Sequence, residues 1–186
     1  MRFLSAVAAC AFVSMLPMKA SGEAFTSEQY GFTAEFPADV TVGDPQGSET
    51  DAKGNFIAKS VIIQSRVLGV WTAMVNVDTY GVSRKIDAGS TLAMMPKMFA
   101  AQLDATITSS KPGKVGVYNA RFFSFSTPDN GTTGQGIVVV VPSAKPRTYQ
   151  VLVTHTGLAS PENIAGLQRF LNSFQISGPA ASSGSK

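Results

Sequence analysis

Ile137–Val141 is a run of five consecutive β-branched residues, and it constrains the fold more than any other stretch of the chain. Successive side chains of a strand point to opposite faces of its sheet, so a strand with this sequence is apolar on both faces. Such a strand lies in the centre of a sheet and is covered by helices on both sides. The remaining sequence must therefore supply two helices and several neighbouring strands.

The clearest helix is predicted after Ser160. Ser160 is a suitable N-cap, Pro161 fits the first helical position, and Glu162 complements the positive end of the helix dipole. The apolar residues that follow have helical spacing and form one stripe: Ile164, Leu167, Phe170, Leu171 and Phe174.

A second helical pattern occupies the middle of the chain. Its apolar stripe consists of Leu92, Met95, Phe99 and Leu103, and either Asp87 or Ser90 could cap its start. Pro96 lacks the amide hydrogen that the carbonyl of Leu92 would accept. The helix must either kink at Pro96 or begin anew there.

The other segments have the pattern of strands. Tyr30–Phe36 alternates apolar and small or polar residues and ends at Pro37, whereas residues 43–55 are polar and predict a loop. Ile57–Leu68 and Trp71–Tyr80 form a predicted hairpin with Gly69 near its turn. In the second arm Trp71, Ala73, Val75 and Val77 share one face, and Thr72, Met74, Asn76 and Asp78 share the other.

Four more strands are predicted between Thr106 and Thr156, joined by the turn sequences PDNGTTG and PSAKP. Strands joined by short turns pair mostly antiparallel. The predicted fold class is therefore α+β, a mostly antiparallel β-sheet flanked by two main α-helices.

The first 24 residues have the pattern of a secretory signal peptide. Arg2 precedes an apolar segment, Phe3–Leu16, and small residues near Ala20 and Ala24 offer cleavage points. The apolar segment is short for a bilayer span, so we favour cleavage after Ala20 or Ala24 over an uncleaved anchor. Cys10 follows a sequence similar to a lipobox, but the apolar run continues beyond it, so we favour an unmodified Cys10.

Removal of the leader leaves a chain without cysteine, and hence without disulfide or thiol chemistry. The predicted domains are a signal peptide at 1–24, one α+β domain at 25–177 and a disordered tail at 178–186. Thirteen basic and eleven acidic side chains remain, a net charge of +2. This small excess does not favour a nucleic-acid partner. The destination is the periplasm or the medium, with no stable membrane span after cleavage.

The opening stretch YGFTAEFPADV, the hairpin followed by the Leu92–Leu103 helix, and the closing RTYQVLVTHTG…RFLNSF resemble the Mog1/PsbP-like family. In the last segment the resemblance lies in Phe170, Ser173 and Phe174. It covers the chain from about Phe25 to Ser177 and implies a curved antiparallel sheet flanked by helices. It also implies a non-enzymatic role, of the kind played by accessory subunits and adaptor chaperones. No functional residue can be transferred, because these motifs describe packing.

The sequence contains few residues that could carry chemistry. His155 is the single histidine, on the face of Tyr149, Val151 and Val153, and we interpret it as structural. Without cysteine, a zinc site would need carboxylates for its other ligands. We therefore predict no catalytic residue, no cofactor-binding residue and no resident metal.

Several weaker patterns are also explained by ordinary structural roles. Oxygen-bearing residues crowd one loop but match no calcium motif: Asp44, Glu49, Asp51 and Asn55. Met94, Met95 and Met98 could bind Cu(I), but methionines at helical spacing usually fill a core. The glycines of GKVG and GTTGQG do not follow the phosphate-loop pattern. A basic patch next to phenylalanines is conceivable from Arg66, Arg84, Lys85, Arg121, Phe122, Phe123 and Phe125.

The sequence thus predicts an exported, non-enzymatic module that binds an unidentified protein through its sheet surface or end loops. The alternative is a small-ligand-binding protein with an apolar cleft between sheet and helix, lined by Trp71, Phe99 and the methionines.

Overall fold

The computed structural model describes residues 24–50, 56–81, 85–128 and 131–177. Two helices lie in this part of the chain, α1 at Ala88–Gln102 and α2 at Pro161–Ser173. The strands are β1 Phe25–Ser27, β2 Phe32–Ala34, β3 Thr41–Val42, β4 Gln46–Thr50, β5 Phe56–Val67, β6 Trp71–Tyr80, β7 Thr106–Val115, β8 Tyr118–Thr127, β9 Thr132–Val141, β10 Arg147–His155 and β11 Gln175–Ile176.

The strands form two antiparallel sheets. The larger sheet has eight strands in the order β3-β5-β6-β10-β9-β8-β7, and β4 also pairs with β5. A smaller sheet has the order β1-β2-β11, so the first two strands meet the last one. The prediction of a mostly antiparallel α+β fold with two helices is confirmed.

The β-branched run occupies a central position. β9 lies between β10 and β8, and Ile137, Val138, Val139 and Val140 are all buried. Ile137 and Val139 face the core that contains α2, whereas Val138 and Val140 face the core that contains α1. One helix therefore covers each face of this strand, as its sequence predicts.

α1 begins where the sequence offers two caps. Asp87 is the N-cap, and its carboxylate accepts hydrogen bonds from the Gly89 amide at 3.0 Å and the Ser90 hydroxyl at 2.6 Å. The Ser90 bond and then the backbone amides hold the pKa of Asp87 below its ordinary value. The helix continues through Pro96 as one element, so a new helix does not begin there. The predicted stripe is buried at Leu92, but Leu103 is the C-cap and is 41% exposed.

α2 follows its prediction closely. Ser160 is the N-cap, and its hydroxyl accepts from the Asn163 amide at 3.2 Å while the Asn163 side chain accepts from the Ser160 amide at 3.1 Å. This reciprocal pair satisfies two amides that the first turn leaves without helical partners. Leu167, Phe170 and Leu171 are buried beneath the helix.

The opening strand is shorter than its alternation suggests. β2 spans only Phe32–Ala34, because Tyr30 and Gly31 form a turn in which Gly31 has φ 68°. Arg147 Nη1 and the Tyr149 hydroxyl both donate to the Tyr30 carbonyl, at 3.0 and 2.7 Å. Burial raises the pKa of Tyr149. These two side chains of β10 fix the small sheet to the large one.

The predicted loop at 43–55 is wrong in part, since Gln46–Thr50 forms β4 against β5 with irregular register. Residues 43–45 lie outside any helix or strand, as predicted, whereas residues 51–55 lie outside the described residues, as do the signal peptide through residue 23 and the tail from 178. No helix among the described residues is long and apolar enough to cross a bilayer.

Candidate functional site: the cleft between α1 and the sheet

α1 covers only part of its face of the large sheet. It packs on β7, β8 and β9, where a core forms from Leu92, Phe123, Phe125, Val138, Val140 and Leu152. β5 and β6 lie at the other side of β10, and from them Met74 of β6 packs against the edge of this core. The same face of the sheet is therefore left open beside α1.

A cleft of about 230 Å³ occupies this boundary. The wall from α1 consists of Met95, Met98, Phe99 and Gln102. The sheet contributes Ile62 from β5, Met74 and Asn76 from β6, and Gln150 from β10. We call these eight residues the methionine cleft.

The rim of the methionine cleft is apolar and exposed. Met98 is 54% exposed and Ile62 is 41% exposed, and Met94 lies one turn from Met98 with 55% exposure. Methionine is flexible and polarisable, so a surface rich in it adapts to partners of different shape. Lys97 is exposed beside Met94, its i, i+3 neighbour on α1, and adds a positive charge next to the rim.

The floor of the cleft adjoins a buried carboxylate. Asp78 is only 9% exposed and accepts hydrogen bonds from Ser60 Oγ and, at 3.0 Å, from Thr148 Oγ1. Ser60 and Thr148 are its direct neighbours across the strands on either side. The cleft amides Gln150 and Asn76 make longer contacts with Asp78, at 3.4 and 3.5 Å. Two neutral hydroxyl donors thus hold a carboxylate inside the sheet.

One acceptor of the floor lacks a protein partner. Asn76 Oδ1 is buried and makes no hydrogen bond with any described residue. A buried amide oxygen without a donor is unfavourable by about 1–3 kcal/mol, and a bound group that donates a hydrogen bond would remove this penalty. The cleft therefore combines apolar walls with a few amide groups, those of Asn76, Gln102 and Gln150, a composition suited to recognition.

The sequence proposed a similar cleft but placed one residue wrongly. Trp71 lies on the opposite face of the sheet, in the core with α2, and is 5% exposed. Phe99, Met95 and Met98 do line the cleft. The alternation of side chains along β6 already separates these residues, because Trp71 has an odd position and Met74 an even one, which places them on opposite faces of the sheet. The Asp78 cluster was not predicted, since its partners are distant in sequence.

His155 lies at the end of β10, away from the methionine cleft. Its Nε2 is 3.1 Å from the Thr133 hydroxyl, and both residues line a cavity on the α2 side of the sheet. No group of three or more His, Cys, Asp and Glu side chains gathers in the part of the chain that the structure describes.

The weaker sequence patterns are dispersed by the fold. Arg66 on β5 and Arg121 on β8 are four strands apart, about 19 Å, so they share no basic patch. Phe123 and Phe125 are buried in the core beneath α1 and offer no stacking surface. Among the residues of the possible calcium loop, Asp44 is exposed. The side chain of Glu49 and residues 51 and 55 lie outside the described part of the chain. Arg84 lies outside it as well.

Comparison with solved structures identifies the fold. The crystal structure of LpqN, involved in cell envelope biogenesis of Mycobacterium tuberculosis, is similar with a TM-score of 0.52 and 14% identity, covering 89% of this chain and 91% of that one. The solution structure of cyanobacterial PsbP from Synechocystis sp. PCC 6803 is similar with a TM-score of 0.53 and 12% identity, covering 91% of this chain and 98% of that one. The chain has the Mog1/PsbP-like fold.

No protein-family model matches the chain, and no curated protein matches it in sequence. LpqN and PsbP are similar to this chain in backbone structure. At identities of 14% and 12%, no site residue can be transferred from either of them to this chain. Function must therefore be argued from the residues of this chain.

Proposed function

We propose that this protein is an exported, non-enzymatic accessory module of the bacterial envelope that binds another protein through the methionine cleft. The exposed apolar rim formed by Ile62, Met94 and Met98 is the observation that carries the proposal. Exposed apolar patches of this kind mark interaction surfaces in soluble domains. The leader sequence supports export, and one protein of the same fold is named for cell envelope biogenesis.

The chemistry of the rim specifies the partner. Apolar side chains of the partner would enter between Met98 and Ile62, and a carboxylate beside them would pair with Lys97. An amphipathic segment with apolar residues flanked by Asp or Glu has this composition. Asn76 Oδ1 at the floor would accept a hydrogen bond from a polar group that reaches it.

Site-specific photocrosslinking in the producing cell tests this proposal. A photoreactive residue at Met98 is expected to capture one dominant partner, and Met94→Glu should abolish that capture by placing a like charge near the partner carboxylate. Leu158, 77% exposed in the loop before α2, provides the matched control position. Equal capture from positions 98 and 158, or unchanged capture in Met94→Glu, would reject the cleft as the interface.

A small apolar ligand is the second candidate occupant. The apolar walls formed by Met95, Met98 and Phe99 favour it, and the volume of about 230 Å³ limits it to a molecule below drug size. Native mass spectrometry of the protein purified from its own host distinguishes the two. A co-purified mass that is lost in Met74→Lys supports the ligand, and a clean apo mass counts against it.

A further inference from the structure

A polar groove runs along α2 on the face of the sheet opposite the methionine cleft. Two cavities of about 190 and 230 Å³ share Ser124, Gln135 and Gln168 in their linings, so they adjoin along α2. One holds His155 and Thr133, and the other holds Lys111, Phe122 and Asn172. We call the two adjoining cavities the α2 groove.

The groove exists because α2 covers only part of its face. α2 packs mainly on β10, β6 and β2, and β8 and β7 lie farther along the sheet, beyond β9. Along β8 and β9, the side chains on the α2 face of the sheet change from apolar to polar at the edge of the core. Ala120 and Ile137 are buried, whereas Ser124 and Gln135, further along the same strands, are partly or fully exposed.

The lining of the groove is almost entirely neutral. Hydroxyls come from Thr108, Ser109, Ser124, Ser126 and Thr133, and amides come from Gln135, Gln168 and Asn172. Lys111 is the single Lys or Arg of the lining, and the lining contains no carboxylate. A hydroxyl or an amide side chain can both donate and accept a hydrogen bond.

These groups are not used to hold the protein together. The contact between Thr133 and His155 is the one side-chain hydrogen bond that the lining hydroxyls and amides make within the described residues. Gln135, Gln168 and Ser124 converge on the same space with their hydrogen-bonding capacity free. Apolar surface from the partly exposed Phe122 and Ile164 lies beside them.

We propose that the α2 groove binds a neutral oligosaccharide. Sugar hydroxyls both donate and accept, which matches the hydroxyl and amide lining, and the C–H faces of the rings match Phe122 and Ile164. A strongly anionic ligand would find one lysine, and an apolar ligand would leave the amides without partners. The nine residues of α2 from Ile164 to Asn172 span about 12 Å, longer than one pyranose ring.

Calorimetric titration of the full mature chain with chitotriose and with maltotriose tests the proposal. At least one is expected to bind with a dissociation constant of about 1 mM or tighter. Gln135→Ala and Gln168→Ala should each weaken that binding about fivefold to tenfold, the effect of one lost hydrogen bond. Both side chains are at least partly exposed, so these variants retain the fold.

Gln102→Ala is the matched control, because Gln102 is an exposed glutamine that lines the methionine cleft on the other face. It should leave saccharide affinity unchanged, as should Met94→Glu. Failure of both saccharides to bind, or unchanged affinity in the Gln135→Ala/Gln168→Ala double variant, overturns the proposal. Neither result bears on the methionine cleft, so the two proposals fail independently.

Discussion

Replacement of Asp78 by alanine should destabilise the protein more than any other single loss of a polar side chain described above. The carboxylate is 9% exposed, and the Thr148 hydroxyl that donates to it at 3.0 Å is completely buried. A hydrogen bond to a charged group contributes about 1.5–3 kcal/mol. Loss of the bonds from Ser60 and Thr148 should therefore lower the free energy of unfolding by about 3–5 kcal/mol.

Chemical denaturation followed by tryptophan fluorescence measures this change. Trp71 is the only tryptophan of the chain and is 5% exposed, so its emission reports loss of the core. Asp78→Asn retains one acceptor oxygen and should lose less than the alanine variant. Asp39→Ala, which removes an exposed carboxylate, should change the free energy of unfolding by no more than about 0.5 kcal/mol.

A double-mutant cycle isolates the interaction itself. Thr148→Val removes the donor and keeps the side-chain volume, so its combination with Asp78→Ala should give a coupling energy of about 1–3 kcal/mol. If Asp78→Ala lowered the free energy of unfolding by less than about 1 kcal/mol, the buried hydroxyls would have found other acceptors. The assignment of Asp78 as the centre of this cluster would then be wrong.

Three further outcomes follow from the packing and the caps. A Cβ at Gly136 would lie 2.6 Å from Leu152 Cδ2 and against the Phe123 ring. Gly136→Ala should therefore lower the free energy of unfolding by about 1–3 kcal/mol, and by less in a Phe123→Leu background. Equal losses in both backgrounds would contradict this. Tyr149→Phe should cost about 1 kcal/mol, because the Tyr30 carbonyl keeps its bond from Arg147; a denaturation midpoint equal to that of the wild type would show that the hydroxyl contributes nothing. In the folded protein the pKa of Asp87 lies below its ordinary value of 3.8. The stability that this ionised cap adds is therefore fully present above pH 3.8 and is lost as the pH falls through the lower pKa of the folded state. Asp87→Asn keeps a capping oxygen that does not titrate, and thermal melts should show the wild-type advantage over it disappearing below about pH 4.

The sequence predicted the elements whose pattern is local. The two helices, the capping residue Ser160 and the hairpin at Gly69 depend on neighbours a few residues away, and the structure confirms them, although Leu103 lies outside the first helix as its C-cap. β4 was missed because Gln46–Thr50 is polar and has no apolar alternation. Its strand conformation comes from pairing with β5, a contact that no local pattern records.

The candidate sites were less accessible from the sequence. The methionine cleft exists because α1 covers only part of its face of the sheet. The helical stripe that begins at Leu92 shows which side of α1 faces the sheet, but packing decides how much of the sheet α1 covers. The Asp78 cluster joins Ser60 and Thr148 from two other strands. Strand order is the missing information in both cases, because parity identifies the face of a side chain but not its neighbour across the sheet.

β2 lies between the first strand and the last, and this arrangement makes the connectivity of the fold nearly circular. Thr33 pairs with Gln175, so β1 and β11 flank one strand. A short flexible linker between the two ends, with new termini opened at the exposed Gly69 turn, should give a circular permutant with the same core. Such a permutant would place β6 first and β5 last, and β11 would keep its pairing with β2 while the linker joins it to β1.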